Sequence, residues 1–267
     1  MLNETNVEKY LSRVTARNPE VSLSFLKELQ QSHVTMFSFN NLAVLLHENL
    51  SLDSQILFER IIENNRGGYC FEHNKLFCEV LRHLGFACEI VLARVLPNRD
   101  ADVPRTHRVT RVSLAGNEYI VDVGFGSLCS RAPLLLDSDE PQDQGDAVYR
   151  IIEPDAGQYV LQMKKDGGWS TLYTFDRNLY TEADCLCGHH YSSTYPDAVF
   201  VNNLVVTLKS DGDIRSLRNG SFHHTAGGVN TITSISSSAE LGRILAQEFG
   251  IELAPDQLSM LYEGYCE

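Results

Sequence analysis

No stretch of this 267-residue chain approaches the ~18 uninterrupted apolar residues of a membrane-spanning helix, and it contains neither repeats nor low-complexity tracts. The opening MLNETNVEKYL is polar, with Glu4 early and no basic-then-apolar pattern, so no secretory signal is expected and a cytoplasmic setting is. Basic residues are scarce: 22 Lys and Arg stand against 35 Asp and Glu, a net charge of −13. Such a balance disfavours nucleic acid, whose binding is largely electrostatic, and any anionic ligand needs a local patch of donors. A disulfide framework is lacking too, because the seven cysteines are odd in number and irregularly spaced. Most of them read as reduced thiols packed as small hydrophobes.

What is present is ordinary globular composition, 43% hydrophobic and 21% charged, enough for one large domain or two to three small ones. The pattern divides the chain into three. In residues 1–85, NVEKYLSRV, VSLSFLKELQQ and LDSQILFERII repeat apolar residues at helical intervals, with Asn3, Ser51 and Asp53 as candidate caps. After the break at Arg66-Gly67-Gly68, YCFEHNKLFCEVLRHLG reads as a further helix stopped by Gly85. Residues 86–187 switch to short β-branched segments: FACEIVLARVL, THRVTRVSL, NEYIVDVGF, then a hairpin from QYVLQMKK to WSTLYTF through Asp166-Gly167-Gly168. Asp137–Asp146 reads as an acidic surface loop, and the strands as an antiparallel barrel or strongly curved sheet. Residues 188–267 mix both periods: AVFVNNLVVTLKS looks β, while SSAELGRILAQEFG, capped by Ser238, and PDQLSMLYEGY look helical. The fold class is α+β.

Chemistry concentrates first on Cys70. It follows a Gly-Gly pair at the first turn of a predicted helix, where free N–H groups and the dipole favour thiolate and can hold an oxyanion. An arbitrary cysteine is more often a packed core thiol; the Gly-Gly-Tyr-Cys setting argues otherwise. His107 lies in a β segment and Asp122 across the hairpin turn at Ala115-Gly116-Asn117. With two loop residues they share a face of the ribbon; with three they do not. Taken singly, His107 reads equally as a surface or structural residue, and Asp122 as a turn cap. Together they supply what nucleophilic catalysis wants: a carboxylate fixing the imidazole, and an imidazole drawing the proton from sulfur.

RGGYCFEHN at 66–74, the histidine of THRVTRV at 106–112 and VDVGFGS at 121–127 resemble, in order and spacing, the arylamine N-acetyltransferase family. FSFNNL at 37–42, RAPLLL at 131–136 and HHYSSTYPDAVFVNNL at 189–204 extend the likeness over most of the chain. The resemblance implies an N-terminal helical bundle, a central antiparallel β-barrel and a C-terminal α/β lid. It also implies a Cys70 nucleophile, a His107 base and an orienting Asp122. Arg66, Gly67 and Gly68 would support the Cys70 loop. Phe125 and Phe39 would wall an acceptor pocket, and Gly124 and Gly126, with Ser127 next, would allow the donor's approach. The implied reaction is ping-pong transfer of an acetyl group from acetyl-CoA, through Cys70, to an arylamine, N-hydroxyarylamine or arylhydrazine, with no metal. An amide synthase or macrolactam-forming acyltransferase, a hydrolase, or a binding protein with a relic triad are the alternatives.

The family commonly reads Pro-Phe-Glu-Asn-Leu where this chain has Ser38-Phe39-Asn40-Asn41-Leu42, so Asn40 stands where a glutamate would pair with Arg66. Arg108 and Arg111 either face solvent or meet an anionic acyl donor. Cys185, Cys187, His189 and His190 have zinc-ligand chemistry, but their spacing is tight and without a second distant pair, so coincidence is favoured. His223 and His224 have no recognisable partner.

Overall fold

The computed structural model describes residues 2–96 and 102–267. The first part contributes α1 (Glu4–Val14), α2 (Leu23–Met36), β1 (Phe39–Asn40), α3 (Leu42–Leu45), α4 (Ser54–Phe58), a π-helical turn (Glu59–Glu63) and α5 (Cys70–His83). Asn3, Ser22 and Asp53 accept bonds from the free N–H groups of the helices they open. Ser51 instead accepts from the Asp53 N–H at 3.0 Å. The apolar stripes of α1, α2 and α5 bury Tyr10, Phe25, Leu29, Phe77 and Leu81 in one core.

The barrel strands follow: β2 (Ala87–Val95), β3 (His107–Leu114), β4 (Asn117–Val121), β5 (Leu134–Leu135), β6 (Gln142–Asp143), β7 (Val148–Asp155), β8 (Gln158–Lys165) and β9 (Gly168–Asp176). They form one antiparallel sheet in the order β5-β4-β3-β2-β9-β8-β7-β6. Side-chain amides join its two edges. Gln142 accepts from the Leu135 N–H at 2.8 Å and donates to the Leu135 carbonyl at 3.0 Å. Gln144 does the same with Ala132, at 3.0 and 2.9 Å. These amides satisfy edge groups that would otherwise be open. The acidic stretch read as a loop thus contains β6.

The third part supplies α6 (Glu182–Thr194), α7 (Val199–Asn202), β10 (Val205–Ser210), β11 (Asp213–Arg218), β12 (Ser221–Ala226), β13 (Val229–Ser234), α8 (Ser238–Phe249) and α9 (Pro255–Tyr265). Its sheet runs β1-β10-β11-β12-β13, so the edge strand comes from the helical part. Helices α8 and α9 cover this sheet with Leu241, Leu245, Phe249 and Leu261. Helix α6 crosses the 187/188 division drawn from the sequence. Two local expectations need correcting. Ser237, extended at φ −162°, caps α8, and Ser238 is already helical. Val199–Asn202 is a helical turn rather than a strand, because Asn41 donates to the Phe200 and Asn203 carbonyls, both at 2.7 Å, and Asn202 to the Ala198 carbonyl at 2.9 Å. Among the described residues no helix is long and apolar enough to cross a membrane.

A buried chain of hydrogen bonds crosses the helical core. Tyr10 Oη lies 3.0 Å from His33 Nδ1, His33 Nε2 lies 2.9 Å from His73 Nδ1, and His73 Nε2 lies 3.1 Å from the Ser38 carbonyl. A carbonyl only accepts, so His73 carries its proton on Nε2, His33 donates to His73, and Tyr10 donates to His33. Both imidazoles are neutral. Burial pushes His33 well below its ordinary value, with His73 adding to the effect, and burial pushes His73 down to about 4. The unfolded chain therefore binds more protons than the fold between about pH 4 and 6.5, and stability rises with pH across that window. The unfolding free energy, measured by urea titration, is expected to fall by on the order of 2–3 kcal/mol per pH unit below pH 6.5 when both histidines count. A flat profile from pH 7 to 5 would contradict the neutral relay.

Candidate active site

Cys70 opens α5 from a loop that only glycine can complete. Gly67 has φ +62°, and a Cβ there would stand 2.1 Å from the Ser38 carbonyl oxygen. Strand β1 lies alongside, the Asn40 N–H donating to the Gly68 carbonyl at 2.6 Å. Beneath the loop, Glu72 Oε2 accepts from the Tyr69 N–H at 3.0 Å, and Glu72 Oε1 lies 2.7 Å from Arg60 Nη1. Burial raises the Glu72 carboxyl above its ordinary value despite Arg60. Asn40 does not take the place of the family's glutamate at the Arg66 guanidinium. It donates to the Arg66 carbonyl at 2.9 Å, while the guanidinium pairs with Glu48 at 2.6 Å and donates to the Glu252 carbonyl at 3.2 Å. The ion pair under the Cys70 loop is Arg60–Glu72, and the π-helical turn carries that arginine.

The β3–β4 hairpin turns through two residues, Ala115 and Gly116, at φ +51° and +79°, between the paired Leu114 and Asn117. The ladder ends at Thr110 and Val121, so one step on, Asp122 and His107 are diagonal neighbours on one face. His107 Nε2 lies 2.7 Å from Asp122 Oδ2. The other carboxylate oxygen accepts from Asn74 Nδ2 and from the Gly124 N–H, both at 2.9 Å, and Tyr173 Oη donates to Oδ2 at 3.3 Å. Burial alone would raise this carboxyl; the His107 charge, with the bonds from His107, Asn74 and Gly124, holds it below its ordinary value.

Cys70 joins the pair through the backbone. Its Sγ lies 3.5 Å from the carbonyl of Thr106, the residue before His107. Gly124 packs so closely that a Cβ there would be 2.8 Å from Cys70 Cα. Burial and the negative Asp122 push the Cys70 thiol up, while N–H groups of Arg108 and Phe71 oppose them. The thiolate is thus costly alone and needs a cation beside it. Chemically, the arrangement can deprotonate sulfur by transfer to an imidazole that a buried carboxylate orients.

Of the residues expected around the pocket, Phe125 stacks edge-on to His107, ring centroids 4.8 Å apart, and stands 5.1 Å from Tyr173. Phe39 meets Phe200 at 5.8 Å. Gly126, at φ +62°, approaches Thr207 of β10, and Ser127 sits in the short 3-10 turn Gly126–Leu128. Arg108 and Arg111 are not open to an anion. Arg108 is fully buried and bidentate to Glu182 at 2.7 and 3.0 Å, and Arg111 pairs with Glu89 and, at 3.5 Å, with Glu118. Cys185 lies 3.6 Å from Arg108, and His189 bonds Tyr69 and, at 2.7 Å, the Leu50 carbonyl, whereas Cys187 and His190 are exposed. His224 faces Asp213 at 3.2 Å, and His223 is its neighbour along β12. Among the described residues no three His, Cys, Asp or Glu side chains converge as metal ligands.

Sequence reasoning missed Asn74. Besides bonding Asp122, it donates to the Arg108 carbonyl at 2.6 Å and accepts from the Val123 N–H at 3.0 Å. The available signal was its place one helical turn after Cys70, on the same face. Tyr173 and Gln30, which donates to the Asp122 carbonyl at 3.1 Å, come from distant segments and carried no such signal.

The chain matches an N-acetyltransferase family over residues 22–258. It is 34% identical over 234 residues to an arylamine N-acetyltransferase of Escherichia coli (strain K12), covering 86% of this chain and 83% of the relative. Its fold superposes on that of an arylamine N-acetyltransferase from Salmonella typhimurium with a TM-score of 0.93 and 28% identity, over 99% of this chain and 100% of the other. A Mycobacterium marinum arylamine N-acetyltransferase in complex with CoA gives 0.91 and 27% identity, over 98% and 100%.

Replacing Asn74 with Ala removes one of two donors to Asp122 Oδ1 and takes the Asn74 partner from the Val123 N–H and the Arg108 carbonyl, and is expected to cost about 2–4 kcal/mol of stability. Alkylation of Cys70 by iodoacetamide should slow in the same variant. A variant as stable and as reactive as the parent would remove Asn74 from the account.

Proposed function

The chain belongs to the arylamine N-acetyltransferase family, and from that premise we propose that Cys70 is the acetyl carrier of a two-step, acetyl-CoA-dependent transfer, with His107 as base and Asp122 as its orienting carboxylate. The observation that carries the residue roles is the 2.7 Å His107–Asp122 bond beside the start of α5. Since Nε2 faces the carboxylate, Nδ1 is the nitrogen free to take the thiol proton. The sulfur attacks the thioester carbonyl carbon, the oxyanion collapses, and coenzyme A leaves as thiolate to be protonated by His107. The acceptor nitrogen then attacks the acetyl-cysteine, His107 takes a proton from nitrogen, and the Cys70 sulfur leaves and is reprotonated. N–H groups at the helix start offset the charge that develops on oxygen.

Phe125, against the imidazole, and Phe39 suit a flat aromatic acceptor: an arylamine, N-hydroxyarylamine or arylhydrazine. Gly124 and Gly126 let the backbone of this loop pack closely against Cys70 and Thr207, and Ser127 borders the same turn. Arg66, Gly67 and Gly68 support the nucleophile loop. Neither step calls for a metal, and a cytosolic setting fits the supply of the donor.

Intact-protein mass spectrometry after brief mixing with acetyl-CoA, without an amine, tests the reading. One acetyl group on Cys70, released on adding an arylamine and absent in Cys70→Ser, is the expected result. A folded protein that acquires no acetyl group, or carries it elsewhere, would overturn it.

A further inference from the structure

Away from the triad, two of the seven cysteines stand together, Cys78 of α5 and Cys88 of β2. Cys70, Asn74 and Cys78 follow one another at four-residue spacing, so they share one face of α5. That face meets the barrel, since Cys70 and Asn74 reach the Thr106 and Arg108 carbonyls at 3.5 and 2.6 Å. Cys88 is the second residue of β2, and Leu84, Gly85 and Phe86 alone separate strand from helix. Gly85, at φ +91°, turns the chain back there. Arg82, one helical turn beyond Cys78, then donates through Nε and Nη2 to the Cys88 carbonyl at 3.3 and 3.1 Å. The tight connection brings the two thiols into a shared hydrogen bond. Cys78 is fully buried and Cys88 half-buried, so Cys88 is the outer member of the pair.

The surroundings of this pair favour a thiolate. The bond from Cys88, joined by the Arg108 and Arg82 charges, brings the Cys78 thiol down to about 6 against its burial, and Cys88, as the donor, is pushed up. Thr110 Oγ1 of β3, buried without an oxygen or nitrogen partner among the described residues, stands beside the same sulfur. Cys70, Cys129, Cys185 and Cys266 are pushed the other way, chiefly by burial. At neutral pH the pair therefore holds one proton between two sulfurs. A thiolate with a second thiol in contact is the arrangement that carries oxidation on to a disulfide, because the sulfenic acid first formed is captured at once.

We propose that Cys78 and Cys88 are a modification site separate from Cys70, closed to a reversible disulfide by hydrogen peroxide. The shared proton passes to Cys78, and the Cys88 thiolate attacks one peroxide oxygen. The O–O bond breaks, hydroxide leaves and is protonated by solvent, and Cys88 becomes a sulfenic acid. The Cys78 sulfur attacks the Cys88 sulfur, its proton goes to the departing hydroxyl, and water leaves as the S–S bond forms. Two thiols are oxidised by two electrons in all, and one peroxide is reduced. The link fastens α5 to β2 two helical turns from Cys70, on the face that docks the helical part on the barrel. It touches no triad atom, and it is independent of which acyl donor charges Cys70.

The test treats the folded parent and Cys70→Ser with hydrogen peroxide, caps the remaining thiols with iodoacetamide, and maps an unreduced digest by mass spectrometry. In both proteins the Cys78 and Cys88 peptides are expected to be joined, two hydrogen atoms lighter than their sum, and to separate with dithiothreitol. Cys70→Ser keeps the catalytic thiol from competing for the oxidant; if it is misfolded, the parent digest decides alone. The thermal midpoint should rise by about 5 °C on oxidation and return on reduction, the effect of closing a short loop in a chain of this size. Cys78 and Cys88 both capped as thiols, either one joined to a different cysteine, or Cys88 carried on to the sulfinic acid would overturn the proposal. A midpoint unchanged or lowered by the link would overturn its fastening role.

Discussion

A carboxylate sealed from water is tolerable only when its lone pairs are filled, since the effective cost of an unpaired buried ion is several kcal/mol. Asp122 is 2% exposed, and its two oxygens take bonds from an imidazole on β3, an amide on α5, a phenol on β9 and the N–H of its own loop. These donors come from the helical part and from strands β3 and β9, which flank β2 in the barrel sheet. The carboxylate therefore demands that the helical part and barrel dock in one way. The same docking brings Cys70 under Thr106 and Gly124. Stability and reactivity meet in this group: the bonds that make its burial tolerable also orient the imidazole.

The third part is fastened to the first two by ion pairs whose cations are largely buried. Lys209 of β10, 3% exposed, pairs with Asp146 at 2.8 Å and donates to the Cys129 carbonyl at 2.7 Å, beside the loop that carries Phe125. Arg131 reaches Asp211 at 2.7 Å, and Arg108 with Lys75 shares Glu182 of α6. Strand β1 completes the third sheet while bonding the Gly68 carbonyl. The loop that opens onto Cys70 is thus held by elements of all three parts. Such pairs contribute little net stability over apolar packing, but breaking one leaves an uncompensated charge. Their effect is to fix how the parts meet.

Much of this was legible in the residues. The helical and alternating periods mark most elements, and Gly67-Gly68 before Cys70 announces a close backbone approach. The Ala115-Gly116 turn decides the face that His107 and Asp122 share. What stayed hidden depends on partners distant in sequence. Arg108 reads as a solvent-facing residue of a strand, yet it is buried, and Glu182, 74 residues on, meets it. Val199–Asn202 carries β-branched residues, yet asparagine amides bend it into a helical turn. Helix α6 shows little apolar periodicity and is defined by its Thr181–Asp184 cap. Asn40 occupies the place of a charged partner, while the charge pair formed elsewhere, between Arg60 and Glu72. No local pattern records such an exchange.

The central claim is that Cys70, which burial and Asp122 push toward the thiol, becomes nucleophilic only by passing its proton to an imidazole that Asp122 holds. The pH dependence of Cys70 alkylation, followed by mass spectrometry in the parent and in Asp122→Asn, tests it most directly. The account predicts that the parent reacts well below the pH of about 8.5 at which a free thiol ionises. In Asp122→Asn this acid-side reactivity should be lost. A parent profile following a single ordinary thiol ionisation, or one the same in both proteins, would contradict it.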